Sequence, residues 1–184
     1  MKKKICIITV LLSFLLVGCN AGKTLTNTPT RQVEIFLNKY QTLDKDVLDD
    51  LDKVIANEEN FTGEHREKYR DMMKSSYQKL AYQIKDEKVD GDTATVTAEI
   101  EVVDYGKLLS SANVYLEDHR EEFQDENGEY DVKKFIDYRL EKMKDNKEKV
   151  KYTIDFHLTK KNEEWKLDDL SKTDEQKIQG IYQY

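Results

Sequence analysis

The stretch DGDTATVTAEIEV, residues 90–102, decides the fold. Ala94, Val96, Ala98, Ile100 and Val102 alternate with Thr93, Thr95, Thr97, Glu99 and Glu101, which is the two-residue period of a strand with one buried and one wet face. Asp90-Gly91 reads as the turn pair of a two-residue hairpin. Ahead of it, from Ala81, Tyr82 and Ile84 alternate with polar neighbours and supply the partner strand.

Toward the C-terminus, a second hairpin places Val150, Tyr152, Ile154, Phe156 and Leu158 inward, turns near Lys161-Asn162-Glu163 and returns through Trp165 and Leu167. A short helix over Thr173–Tyr182 follows. Between the hairpins, residues 105–147 read as a helical insert. Leu108, Leu109, Ala112, Tyr115 and Leu116 stripe its first helix, Val132, Phe135, Ile136, Leu140 and Met143 its second, and Asp125-Glu126-Asn127-Gly128 separates them. Toward the N-terminus the period is helical. Thr28-Pro29 supplies a hydroxyl cap and a proline at the first helical position, before the stripe Val33, Phe36, Leu37 and Tyr40. Asp44–Ile55 gathers Val47, Leu48, Leu51, Val54 and Ile55 on one face. A third helix opens after Phe61-Thr62-Gly63-Glu64 and carries Tyr69, Met72, Met73, Tyr77 and Leu80. The expected fold is α+β: a single domain over residues 29–184, with N-terminal helices packed on a curved antiparallel sheet of two hairpins. Ile100, Phe156 and Trp165 are expected to meet in its core.

Composition restricts function. The chain has 184 residues, 38% of them apolar, and a formal charge of −7. Setting aside Lys2, Lys3 and Lys4 leaves 27 basic residues against 37 acidic ones, interspersed along nearly every segment. A nucleic-acid partner is therefore not expected, because neutralising phosphates needs a basic face. The two cysteines are Cys6 and Cys19, so nothing beyond residue 19 could form a disulfide, a cysteine zinc site or a thiol nucleophile.

Residues 1–18 have the form of a signal peptide. Met1-Lys2-Lys3-Lys4 is basic, and Ile5–Val17 is apolar apart from Thr9 and Ser13; as a helix it spans about 20 Å, short of the roughly 30 Å hydrocarbon core. Leu16-Val17-Gly18-Cys19 follows directly and resembles the lipobox of bacterial lipoproteins. That resemblance implies cleavage between Gly18 and Cys19, a diacylglyceryl group on the Cys19 thiol, and a chain anchored by lipid on the extracytoplasmic face of the cell membrane. Residues 19–28 are polar and read as a flexible tether.

The order of helices, hairpin, helical crossover and hairpin resembles the nuclear transport factor 2-like cone fold of small Gram-positive lipoproteins, many with domains of unknown function. The pieces that carry the resemblance are Asp90-Gly91-Asp92-Thr93-Ala94-Thr95-Val96 and Trp165-Lys166-Leu167. This superfold hosts isomerases, dehydratases and pure binding modules, and the long insert departs from its compact form.

Little catalytic chemistry is legible. His65, His119 and His157 fall on different elements without ligand partners at helical or strand spacing, and strand parity turns His157 to solvent. The seven glycines form no phosphate loop and no nucleophile elbow, so no cofactor is implied. An EF-hand register that puts Gly128 at the turn places Phe123 and Lys134 at two ligand positions, and the segment reads instead as an acidic interhelix turn. No metal site is expected. Asp104 and Tyr152 are the one pair that could serve a cone-pocket isomerase, dehydratase or hydrolase, as carboxylate base and phenol donor. Asp104 suits the N-cap of the following helix or an exposed strand end better than it suits catalysis. The reading that follows is a binding module, with the insert as its partner surface and a protein or small molecule as its ligand.

Overall fold

The computed structural model describes residues 27–184. Its elements are α1 (Pro29–Thr42), α2 (Lys45–Ala56), α3 (Gly63–Gln78), β1 (Ala81–Asp90), β2 (Thr93–Val103), α4 (Tyr105–Asp118), a 3-10 turn (Arg120–Phe123), α5 (Val132–Asp145), β3 (Lys149–Lys161), β4 (Glu164–Leu167) and α6 (Lys172–Gln179). The strands form one open antiparallel sheet in the order β1-β2-β3-β4. The fold is therefore α+β, with helices on one face of the sheet.

Alternation accounts for the sheet. Val96, Ala98 and Ile100 on β2 face the helices together with Ile154, Phe156 and Leu158 on β3, and all six are essentially sealed from solvent. Val96 lies opposite Phe156, and Ala98 opposite Ile154. On the other face Lys149 pairs with Glu101 at 2.7 Å and Lys151 with Glu99 at 3.1 Å. Such exposed pairs contribute at most about 1 kcal/mol each, so burial dominates the sheet's stability. Ile100 and Phe156 occupy the core as expected; Trp165, on the short edge strand β4, is only half-buried at its margin.

The first turn is displaced by one residue from the expected pair. Asp90 still pairs with Thr93, so the loop is Gly91-Asp92, and Gly91 takes the positive φ of 57° required of its first position. In β1 the register slips between Ile84 and Asp86. Beyond this bulge Glu87, opposite Val96, turns to the helical side, where its carboxylate accepts from the Thr30 N–H at 2.9 Å and hydroxyl at 2.7 Å. The first turn of α1 has no acid of its own; Glu87 supplies the negative charge that a helix N-terminus favours.

The expected cap at Thr28 forms, its hydroxyl accepting from Arg31 N–H, and the structure adds a cap at Thr62 on α3. On α2 only Leu51 and Ile55 are buried, while Val54 is 46% exposed, so its buried stripe is narrower than the apolar spacing predicts. Asn27, within the segment read as tether, is already tied to the fold: its side-chain oxygen accepts from Trp165 N–H at 2.5 Å and its amide donates to Trp165 O at 3.3 Å. This places a side chain on an otherwise open sheet edge.

The insert divides in two. Leu109 on α4 and Ile136, Leu140 and Met143 on α5 belong to the main core, where α5 packs along α3. Farther out, Ala112, Phe123 and Phe135 make a second cluster with Tyr115, Leu116 and Tyr138. Residues 105–147 are thus part of the domain's core at one end and a separate small cluster at the other.

Candidate functional site

Asp104 stands where β2 ends and α4 begins. Strand parity carries it inward and it is 4% exposed, so the exposed-end alternative is wrong and the N-cap alternative holds. Its Oδ1 accepts from Lys107 N–H at 2.9 Å, and its Oδ2 from the Tyr184 hydroxyl at 2.8 Å. Its backbone is held as firmly: the N–H donates to Glu148 O at 2.9 Å, and the carbonyl accepts from the Asn146 amide at 2.6 Å. The next two N–H groups, of Tyr105 and Gly106, both donate to Gly180 O. The free donors of the helix start are thereby satisfied from three directions.

Two glycines make that closure possible. A Cβ on Gly106 would sit 1.7 Å from Tyr182 O, and one on Gly180, whose φ is +73°, would sit 2.2 Å from Val103 O. The C-terminal segment therefore lies backbone to backbone against the β2–α4 joint.

Tyr152 lies beside this joint without joining its hydrogen bonds. Its ring meets Tyr182 edge to face at 6.0 Å, and its buried hydroxyl has no hydrogen-bond partner among the described residues. Burial, reinforced by the Asp104 carboxylate, pushes its phenol up to about 12. No hydrogen bond joins Asp104 and Tyr152 among the described residues: the Asp104 carboxylate accepts from Lys107 N–H and the Tyr184 hydroxyl. The latter bond in turn holds the Tyr184 phenol above its ordinary range.

The histidines do structural work. His65 completes a capping box on α3, its Nδ1 accepting from Thr62 N–H at 3.2 Å. Nε2 is then the protonated nitrogen, and it donates to Asp137 of α5 at 3.0 Å. His119 stacks on Tyr115 at 3.9 Å. His157 is exposed on the outer sheet face, as parity predicts, with Nδ1 3.3 Å from the Thr95 hydroxyl. Asp125 closes a turn by accepting from the N–H groups of Asn127 and Glu129; these bonds hold its carboxyl below the usual range. Among the described residues no group of three or more histidine, cysteine, aspartate or glutamate side chains is placed to hold a metal.

Larger grooves lie elsewhere. One of about 490 Å³ is lined by Phe36, Tyr40, Leu51 and Tyr77 together with Lys39 and Asp46. Another, of about 300 Å³ between α3 and α5, is lined by Met72, Leu140 and charged side chains including Lys68 and Asp137. Neither is lined by Asp104 or Tyr152. Sequence reasoning missed the partners of Asp104 and the His65–Asp137 bridge. The one available signal was His65 itself, three residues after a capping threonine, where a reciprocal cap belongs. Gly18 and Cys19 lie outside the described residues, and among those described no helix is long and apolar enough to cross a membrane.

No family model matches the chain, and no curated protein matches it. The crystal structure of "a putative lipoprotein (ycdA)" from Bacillus subtilis subsp. subtilis str. 168 is similar to it at 12% identity, with a TM-score of 0.41, over 88% of this chain and 54% of that one. The chain spans about half the length of that structural neighbour.

Proposed function

We propose that the chain is a lipoprotein anchored through Cys19 on the outer face of the cell membrane, and that its domain acts by binding a partner rather than by catalysis. The filled sheet carries the second half of this reading. Val96, Ala98, Ile100, Ile154, Phe156 and Leu158 occupy the face where a cone enzyme keeps its substrate cavity, and Asp104 is committed to Lys107 and Tyr184. The kinship with nuclear transport factor 2-like lipoproteins belongs to the same proposal and rests on element order and the two hairpins.

The outer half of the insert is the favoured partner surface. Residues 117–131 hold eight carboxylates against Arg120 alone, around the small cluster of Phe123 and Phe135. Deleting the whole insert would strip Ile136, Leu140 and Met143 from the core, so the test substitutes the surface. Capture from cell-envelope and host extracts by the exported chain is compared with capture by a Glu121→Lys, Glu126→Lys, Glu129→Lys variant. Loss of a specific partner with an unchanged circular dichroism spectrum is expected; equal capture would move the surface elsewhere. Fatty-acid labelling that disappears in Cys19→Ser tests the anchor, and label retained by that variant would refute it.

A further inference from the structure

Anchoring at Cys19 has a geometric consequence, which rests on the lipoprotein reading above. Asn27 bonds both backbone groups of Trp165, which pairs with Lys160. Lys160 N–H in turn donates to Asp92 O at 2.8 Å in the β1–β2 turn. The tether therefore enters the fold level with both hairpin turns, Gly91-Asp92 and Asn162-Glu163. The β2–α4 joint is at the other end of the same strands, where Val103 pairs with Lys149. Lys149 to Lys160 is an unbulged run of eleven steps, so the two ends stand about 35 Å apart.

Seven residues, hence eight Cα–Cα steps, separate Cys19 from Asn27. Whatever path they take, they reach at most about 26–29 Å. This is shorter than the sheet. With the joint seated on the lipid headgroups, Asn27 would stand farther from the bilayer than its own anchor allows.

We infer that the lipid headgroup surface faces the end of the sheet bearing the two hairpin turns, and that the β2–α4 joint, with the roots of the insert at Tyr105 and Asn146, is held on the side away from the bilayer. The surface nearest the lipid includes the β3–β4 turn with Lys161 and Lys166, both exposed. The anchor's shortness, rather than a binding pocket, sets the polarity, and a partner arriving from outside the cell meets the joint end first.

The test uses the full-length acylated chain in vesicles of phosphatidylcholine and phosphatidylglycerol doped with an energy-acceptor lipid. A donor dye is attached at Lys161→Cys in one variant and Lys147→Cys in another, both exposed positions. Transfer is expected to be several-fold more efficient from residue 161 than from residue 147, and a Gly-Ser insertion that doubles the tether between Ala21 and Gly22 should shrink the difference. Equal or reversed transfer in chains whose lipid at Cys19 is verified by mass spectrometry would overturn the orientation and leave the anchor standing. A chain that floats with vesicles while Cys19 carries no lipid would overturn the anchor and the orientation with it.

Discussion

The described residues form two hydrophobic clusters built by different rules. The main one lies between sheet and helices, where strand alternation brings Val96, Ile100 and Phe156 to full burial and α1, α3 and α6 close over them. The other, in the outer half of the insert, has Ala112, Phe123 and Phe135 inside, and Tyr115 stacked between His119 and Tyr138 at 3.9 and 5.0 Å. Regular alternation seals many side chains with a few residue types; the outer cluster relies on large rings because few residues are available to enclose it. Equal burial of one phenylalanine in each does not imply equal weight, since cooperative stability follows the number of interlocked neighbours.

Phe156→Ala and Phe123→Ala test that difference most directly. The first should cost about 3–5 kcal/mol in urea unfolding. The second should cost about 1–2 kcal/mol globally while speeding amide exchange in α4 and the 3-10 turn and leaving β2 and β3 protected. Matching global losses would show one cooperative unit and erase the distinction.

Alkaline titration distinguishes the body in another way. Burial pushes Tyr40 and Tyr69 up to about 12. With folded values above the unfolded value near 10, the native state holds these protons more tightly, so their contribution is complete below pH 10 and is lost as pH rises toward 12. Denaturation followed at stepped pH should show the urea midpoint falling across that window; a midpoint flat to pH 12 would contradict the burial.

The β2–α4 joint should respond less. Asp104→Ala removes the α4 cap and leaves the Tyr184 hydroxyl without its acceptor, for an expected loss of about 1–2 kcal/mol, whereas Asp104→Asn keeps a capping oxygen and should lose only a few tenths. Similar losses from both would mean that negative charge, rather than the cap, is what the joint needs. Smallest of all is Tyr152→Phe. Its hydroxyl is buried without a partner among the described residues, so removal should be neutral or stabilising by up to about 1 kcal/mol. A destabilised variant would reveal a bond that the tyrosine makes in solution.

The legible parts were those governed by neighbours in the chain. The β2 and β3 periods, the Thr28 cap, the start of α3 after Thr62, the interhelix turn at Asp125 and the cap at Asp104 all depend on residues within a few positions. The parts that were not legible depend on distant ones. The bulge near Lys85 makes sense once Glu87 is seen at the start of α1, 57 residues upstream. His65 meets Asp137 across 72 residues, and Tyr184 meets Asp104 across 80. Trp165 looked like core because its alternation is sound, but β4 is only four residues long and lies at the sheet edge, with too little above it to cover an indole. Val54 fell on an apolar stripe wider than the surface α2 covers.

The interlock of Gly106 with Tyr182 and of Gly180 with Val103 also bears on when the protein can finish folding. The joint at the end of β2 receives its last hydrogen-bond acceptor, Gly180 O, from a segment synthesised more than 70 residues later. The opposite end of the sheet likewise waits for Trp165 to meet Asn27, 138 residues away. Loop closures of this length delay the final packing step. A nascent chain that has emerged only as far as β3 can pair its strands but lacks both clasps, which favours a loosely closed, threadable polypeptide until residue 182 has been made. Late closure thus rests on two positions, Gly106 and Gly180, where any side chain would collide with the backbone it must meet.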